Sequence, residues 1–151
     1  MRVVTIGTFD LLHEGHQRLL SFCHNLAQGD DEFLVGVNSG DSPALNGKRP
    51  TQDDVTRHRA VMRYVGDDHG WLYDIGVVNH VVVNHGRGAE LLQDGDLVVV
   101  GSEYARGDYP AQLGTTWDAL DAMNVSILFR PRTLGISSTQ LREAHEPAPE
   151  T

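Results

Sequence analysis

One cysteine, Cys23, in 151 residues excludes an intrachain disulfide framework and a cysteine-based metal cage. No His-Glu-x-x-His pattern offers zinc another set of ligands. Basic residues are scarce as well: 12 Lys and Arg against 21 Asp and Glu leave a net charge of −9, which argues against a general nucleic-acid-binding surface. Local basic groups can still hold a single nucleotide. The sequence lacks an apolar run long enough to span a bilayer, a signal peptide and an internal repeat, so a cytoplasmic protein with no membrane partner is expected. Its length suits one domain, 1–145, large enough to bury a core without staples. The Pro- and Glu-rich tail 146–151 is expected to be disordered.

What the chain does have is concentrated at its start. Arg2-Val3-Val4-Thr5-Ile6 reads as a short strand closed by Gly7. The run Thr8-Phe9-Asp10-Leu11-Leu12-His13-Glu14-Gly15-His16 follows. Beyond it Leu19, Leu20, Cys23, Leu26 and Ala27 recur at helical spacing, predicting a helix from about Glu14 with Cys23 on its apolar face. His13 and His16 then fall in the first turn, where unpaired backbone N–H groups and the helix dipole favour an anion. Gly15 leaves room for a phosphate to approach. A neutral imidazole still donates one hydrogen bond, so the pair can stabilise charge on phosphate oxygens without both rings being protonated.

Further strands are predicted at 33–37, 77–83, 96–100 and 125–129, with helices over 52–65, 88–93, 111–123 and 138–145. Strands alternating with helices imply an α/β fold: a parallel five-stranded sheet, doubly wound, with helices on both faces. Ligands of such sheets bind beyond the strand C-termini where the strand order reverses. Near the C-terminus, Arg132 supplies a donor fork, Gly135 permits a close approach, and Ser137, Ser138 and Thr139 offer hydroxyls and an N-cap, a second possible anion cradle. Standing alone, that segment is also what an ordinary Ser/Thr-capped helix looks like.

The run from Gly7 to His16 resembles the signature of the HxGH nucleotidyltransferase superfamily, which contains cytidylyltransferases, heptose-phosphate adenylyltransferases and adenylyltransferases that make nucleotide cofactors. Arg132-Thr133-Leu134-Gly135-Ile136-Ser137-Ser138-Thr139 resembles the family's RTxGIST element. Within the superfamily the pattern is closest to the glycerol-3-phosphate cytidylyltransferases. The resemblance implies a Rossmann-like fold in which His13, His16, Lys48 and Arg132 are catalytic. It implies that Gly7, Thr8, Phe9, Asp10, Gly15, Gly101, Glu103, Tyr104, Gly135, Ile136, Ser137, Ser138 and Thr139 bind the nucleotide. Arg57, at the start of a helix, and Asp10 would meet the acceptor.

Several positions depart from the family pattern. Relatives carry two lysines in the loop that follows the second strand, and Asn46 stands at the first of those places while Lys48 matches the second. Glu103 and Tyr104 replace the usual Asp and Trp, and residues 66–76, with Trp71 and Tyr73, look like an insertion. The activity implied is transfer of a nucleoside monophosphate, CMP from CTP ahead of AMP from ATP, to a phosphomonoester such as glycerol 3-phosphate. Pyrophosphate would leave, and Mg²⁺ would be held mainly by the triphosphate. An ATP-dependent adenylyltransferase acting on a sugar phosphate or cofactor precursor is the alternative, and a non-catalytic nucleotide sensor is another. Relatives are commonly homodimers, and Trp71, Tyr109 and Trp117 are candidate interface or core aromatics.

Overall fold

Five short apolar runs form β1 (Arg2–Gly7), β2 (Glu32–Asn38), β3 (Val78–Asn84), β4 (Leu97–Gly101) and β5 (Ser126–Arg130) in the computed structural model, which describes residues 1–67 and 78–131. They pair in the order β3-β2-β1-β4-β5, and every pairing is parallel. Parallel neighbours need crossovers. These carry α1 (Glu14–Leu26), α2 (Asp54–Met62), α3 (Tyr109–Leu113) and α4 (Trp117–Ala122).

The period of two along each strand divides the core between the two faces. Val3, Phe33, Val35, Val37 and Val99 pack with Leu20 and Cys23 of α1 and Val61 of α2. Val4, Leu34, Val98 and Val100 pack on the other side with Tyr109 and Leu113 of α3 and Leu120 of α4. Each fully buried Val or Leu contributes roughly 1.5–3 kcal/mol. The doubly wound α/β fold expected from the alternation is therefore present. Cys23 is a core residue, its thiol pushed up to about 12 by burial, which keeps it unreactive.

Three predicted helices take other forms. The segment expected as a helix over 88–93 is a single tight 3-10 turn, Gly88–Leu91. It lies so close to the sheet that a Cβ on Gly88 would stand 2.6 Å from Leu113 Cδ2. The helix expected over 111–123 is two helices, because Gly114 takes a left-handed conformation (φ +81°) after α3 and Thr116 caps α4 anew. The helix expected over 52–65 ends as α2 at Met62 and widens into a π turn over Arg63–Asp67. The helix over 138–145, Trp71, Tyr73 and most of the 66–76 insertion lie outside the described residues. Among the described residues no helix is long and apolar enough to cross a membrane.

From β1 the chain winds outward through β2 to β3, then returns to the other side of β1 to form β4 and β5. The reversal falls between β1 and β4. It opens a crevice above their C-terminal ends, the place where sheets of this kind hold ligands.

Candidate active site

β1 ends at Gly7 directly beneath this crevice, and the next residues bend sharply to enter α1. Phe9 and Leu11 both take left-handed backbone conformations, with φ +52° and +51°. For non-glycine residues that is strain of roughly 1–3 kcal/mol each, tolerated where surrounding contacts hold the loop. One such contact is visible at Gly7: a Cβ there would lie 3.2 Å from the Phe9 ring, so glycine lets the buried Phe9 fold back over the strand end.

The two histidines sit as the helical reading predicts, at the first turn of α1. His13 is the N-cap and His16 the third helical residue, and they form a reciprocal capping box. Gly15 N donates to His13 Nδ1 at 3.0 Å, and His13 N donates to His16 Nδ1 at 3.3 Å. Glutamate or glutamine commonly makes the return contact in such a box; here an imidazole does. The consequence is chemical. With both Nδ1 atoms accepting, each neutral ring carries its proton on Nε2, leaving that atom a donor in both rings.

The rings stack with centroids 3.8 Å apart and planes 25° from parallel. The Phe9 ring is tilted against His16, ring centroids 5.5 Å apart. Burial, followed by the neighbouring His13, lowers the His16 pKa from 6.5 to about 3, against an opposing pull from the Asp10 carboxylate. His16 is thus neutral at physiological pH, a hydrogen-bond donor without a full charge. A pair of neutral donors at a helix N-terminus is matched to charge that grows on phosphate oxygens during reaction.

Asp10 is 1% exposed, and its carboxylate accepts Thr51 N at 2.8 Å and Gln52 N at 3.0 Å. It therefore braces the segment that follows Lys48. Lys48 itself is exposed, between Asn46 and Gly47, both left-handed (φ +51° and +79°), and the anchored Thr51. After β4, Gly101 leads into a 3-10 turn over Ser102–Arg106, and the Tyr104 ring lies 5.4 Å from that of buried Tyr109. Gly7, Thr8, Asn38, Ala44, Tyr104 and Gln112 are among the residues lining a cleft at the ends of β1 and β2, whose described lining contains no charged side chain.

Arg57 requires a correction. Its guanidinium is 0% exposed rather than presented to an acceptor. Nε donates to Gln52 O at 3.0 Å, Nη1 to Thr8 O at 3.0 Å and to Asn38 O, and Nη2 to Asp54 Oδ1 at 2.6 Å. Those bonds tie together the C-terminal ends of β1 and β2 and the start of α2. Arg132, Gly135, Ile136, Ser137, Ser138 and Thr139 lie outside the described residues, and of Glu103 only the backbone turn is described.

Sequence reasoning missed Asn38, Gln112 and Gln52. Asn38 had a signal, as a polar residue ending an apolar strand at the ligand-binding edge of a parallel sheet. Gln112 and Gln52 had none, since each acquires its neighbours only through the tertiary fold. Among the described residues no group of three or more His, Cys, Asp or Glu side chains is placed to hold a metal ion.

Comparison with known proteins agrees with this geometry. The sequence profile of the cytidylyltransferase-like family matches residues 4–144. A phosphopantetheine adenylyltransferase of Methanopyrus kandleri is 42% identical over 64 residues, covering 42% of this chain and 39% of that protein. A glycerol-3-phosphate cytidylyltransferase of Bacillus spizizenii is 27% identical over 146 residues, covering 94% of this chain and 95% of that protein. The fold is shared with a lipopolysaccharide core biosynthesis protein from Thermoplasma volcanium, with a TM-score of 0.54 at 22% identity over 88% of this chain and 98% of that one. With the profile spanning nearly its whole length and the paired histidines at the head of α1, the chain belongs to the cytidylyltransferase-like family and is a nucleotidyltransferase.

Proposed function

We propose that the protein transfers CMP from CTP to glycerol 3-phosphate or a closely similar polyol phosphate, releasing pyrophosphate. The choice of substrates rests on one observation: the similarity to a glycerol-3-phosphate cytidylyltransferase runs through 94% of this chain and 95% of that protein. The uncharged polar lining of the cleft suits a hydroxylated acceptor, with Thr8 and Gln112 among the groups that would meet its hydroxyls. In this reading the acceptor phosphate oxygen attacks the α-phosphorus in line. One O–P bond forms, the bond to the β-phosphate oxygen breaks, and pyrophosphate carries away the electron pair.

No covalent enzyme intermediate is required, so positioning and charge stabilisation carry the catalysis. His13 and His16 donate from Nε2 to α- and β-phosphate oxygens, and Lys48 and Arg132 offset the remaining charge. Mg²⁺ enters as the companion of the triphosphate, neutralising its oxygens when bound. ATP is the second reading, favoured by the 42% identity with part of an adenylyltransferase. Dimerisation belongs to the same proposal, and a light-scattering mass near twice 16.6 kDa is its expected signature.

The test is pyrophosphate release with CTP and with ATP against glycerol 3-phosphate, phosphocholine and sugar phosphates. Turnover with CTP and glycerol 3-phosphate at least tenfold above every other pair is expected. A preference for ATP, or for a different acceptor, overturns the assignment.

A further inference from the structure

The two catalytic loops come from distant parts of the chain, yet a few side chains stitch them together. Leu11, one of the two strained residues ahead of His13, donates its backbone N–H to Gln52 Oε1 at 3.1 Å. The backbone of Gln52 is held in turn, its N–H by Asp10 and its carbonyl by Arg57. Asp54, which pairs with Arg57, also accepts Ser39 Oγ at 2.6 Å and Gly40 N at 2.8 Å, fixing the exit of β2. Residues 39–53, which include Lys48, therefore begin and end on the same network that holds residues 8–11.

Within this network most contacts are bonds that any well-packed fold uses to satisfy buried backbone. The Gln52 side chain differs. It is only half-buried, and its oxygen satisfies the amide of a residue held in an unfavourable conformation two positions before His13. If that amide were released, Leu11 would be free to relax towards the ordinary backbone region and carry the start of α1 with it.

We propose that Gln52 is a positioning residue for nucleotidyl transfer: its side-chain oxygen locks the Leu11 peptide and thereby holds the His13–His16 pair in register with the Lys48 loop. Gln52 touches no reacting atom in this role. The inference rests on the family activity and on the two loops, and it is independent of whether the nucleotide is CTP or ATP.

The test compares Gln52→Ala and Gln52→Met, which remove the amide oxygen, with Gln52→Glu, which keeps an acceptor at the same reach. Hydrogen exchange at the Leu11 amide is measured without substrate, so it reads the contact whatever the substrates prove to be. Exchange about tenfold faster in the first two variants is expected, with the melting temperature within a few degrees of wild type. With the substrate pair that the wild type turns over, kcat is expected to fall at least about tenfold while KM for the triphosphate moves less than about threefold. Gln52→Glu is expected to restore both readouts most of the way. Unchanged Leu11 exchange, unchanged kcat, or a glutamate variant no better than alanine overturns the proposal. If Gln52→Ala fails to fold, the nearly isosteric Gln52→Met carries the same comparison.

Discussion

His16 couples two requirements that usually conflict, since a group placed to stabilise phosphate charge is most effective when dry, and drying it opposes its own protonation. The free imidazole titrates near 6.5, whereas in the fold burial and then His13 take it to about 3. Between those values the unfolded chain binds a proton at His16 and the folded chain does not. Stability from this group is therefore complete above about pH 6.5, declines as the pH falls through that window, and stops declining below about pH 3. Replacing His16 with Asn keeps an acceptor for His13 N but does not titrate. Urea unfolding at pH 7 and pH 5 should show wild type losing about 2 kcal/mol more than His16→Asn over that interval. The same substitution removes the Nε2 donor, so kcat at pH 7.5 should fall by about a hundredfold or more. A variant that turns over at the wild-type rate would mean that the stacked imidazoles are a helix cap and nothing further.

At the scale of elements, Val61 packs α2 into the core and His58 Nε2 donates to Val81 O of β3 at 2.9 Å, while Arg57 reaches Thr8 O after β1, Asn38 O at the end of β2 and Gln52 O ahead of the helix. Removing the guanidinium leaves the carbonyls of Thr8, Asn38 and Gln52 without this donor, and each buried group left unsatisfied costs about 1–3 kcal/mol. Arg57→Ala should therefore lower the urea midpoint by a corresponding amount, while Arg59→Ala, on the exposed face of the same helix, should change stability by less than about 0.5 kcal/mol. An Arg57 variant of undiminished stability and raised acceptor KM would instead restore the acceptor role that its sequence position suggested. The misreading has a physical cause. An arginine in the first turn of a helix ordinarily faces water, and the carbonyls that bury this one lie 49, 19 and 5 residues away. The strands and α1 were legible because periodicity is a local property, and the His-x-x-His spacing fixed a capping box that needs only one helical turn. Gly114 carried the break between α3 and α4, but a single glycine within a helical pattern does not distinguish a tolerated position from a left-handed stop. The pattern over 88–93 predicts a longer helix than Gly88–Leu91 because the close approach of Leu113 and Ile6, which favours a glycine turn there, belongs to the packed face.

Across the whole molecule, the two ends of the strands carry different structures. Above the C-terminal ends lie strained backbone, paired imidazoles and an uncharged cleft; at the opposite ends lies a closed ion pair. Arg2, which opens β1, donates to Asp96 through Nε at 3.0 Å and Nη2 at 2.7 Å, and Asp96 is 2% exposed and also accepts Gln93 N at 2.7 Å. This pair fastens the start of β1 to the turn before β4, the same two strands between which the crevice opens at the other end. Five residue steps along β1 put it about 16 Å from Gly7, beyond the reach of direct contact with a bound triphosphate. Arg2→Met should therefore reduce unfolding free energy by about 3 kcal/mol, the effect of leaving Asp96 buried without its cation. Measured well below the melting transition, its kcat should stay within about twofold of wild type, since additivity holds between sites so far apart. His16→Asn and Gln52→Met should do the reverse, lowering kcat far more than the melting temperature. If Arg2→Met lowers kcat as much as the upper-rim variants do, the sheet is not a rigid platform. The gap between β1 and β4 would then have to be set from the bottom of the strands, with the loops that carry His13, His16 and Lys48 depending on the pairing of those two strands rather than on their own bonds.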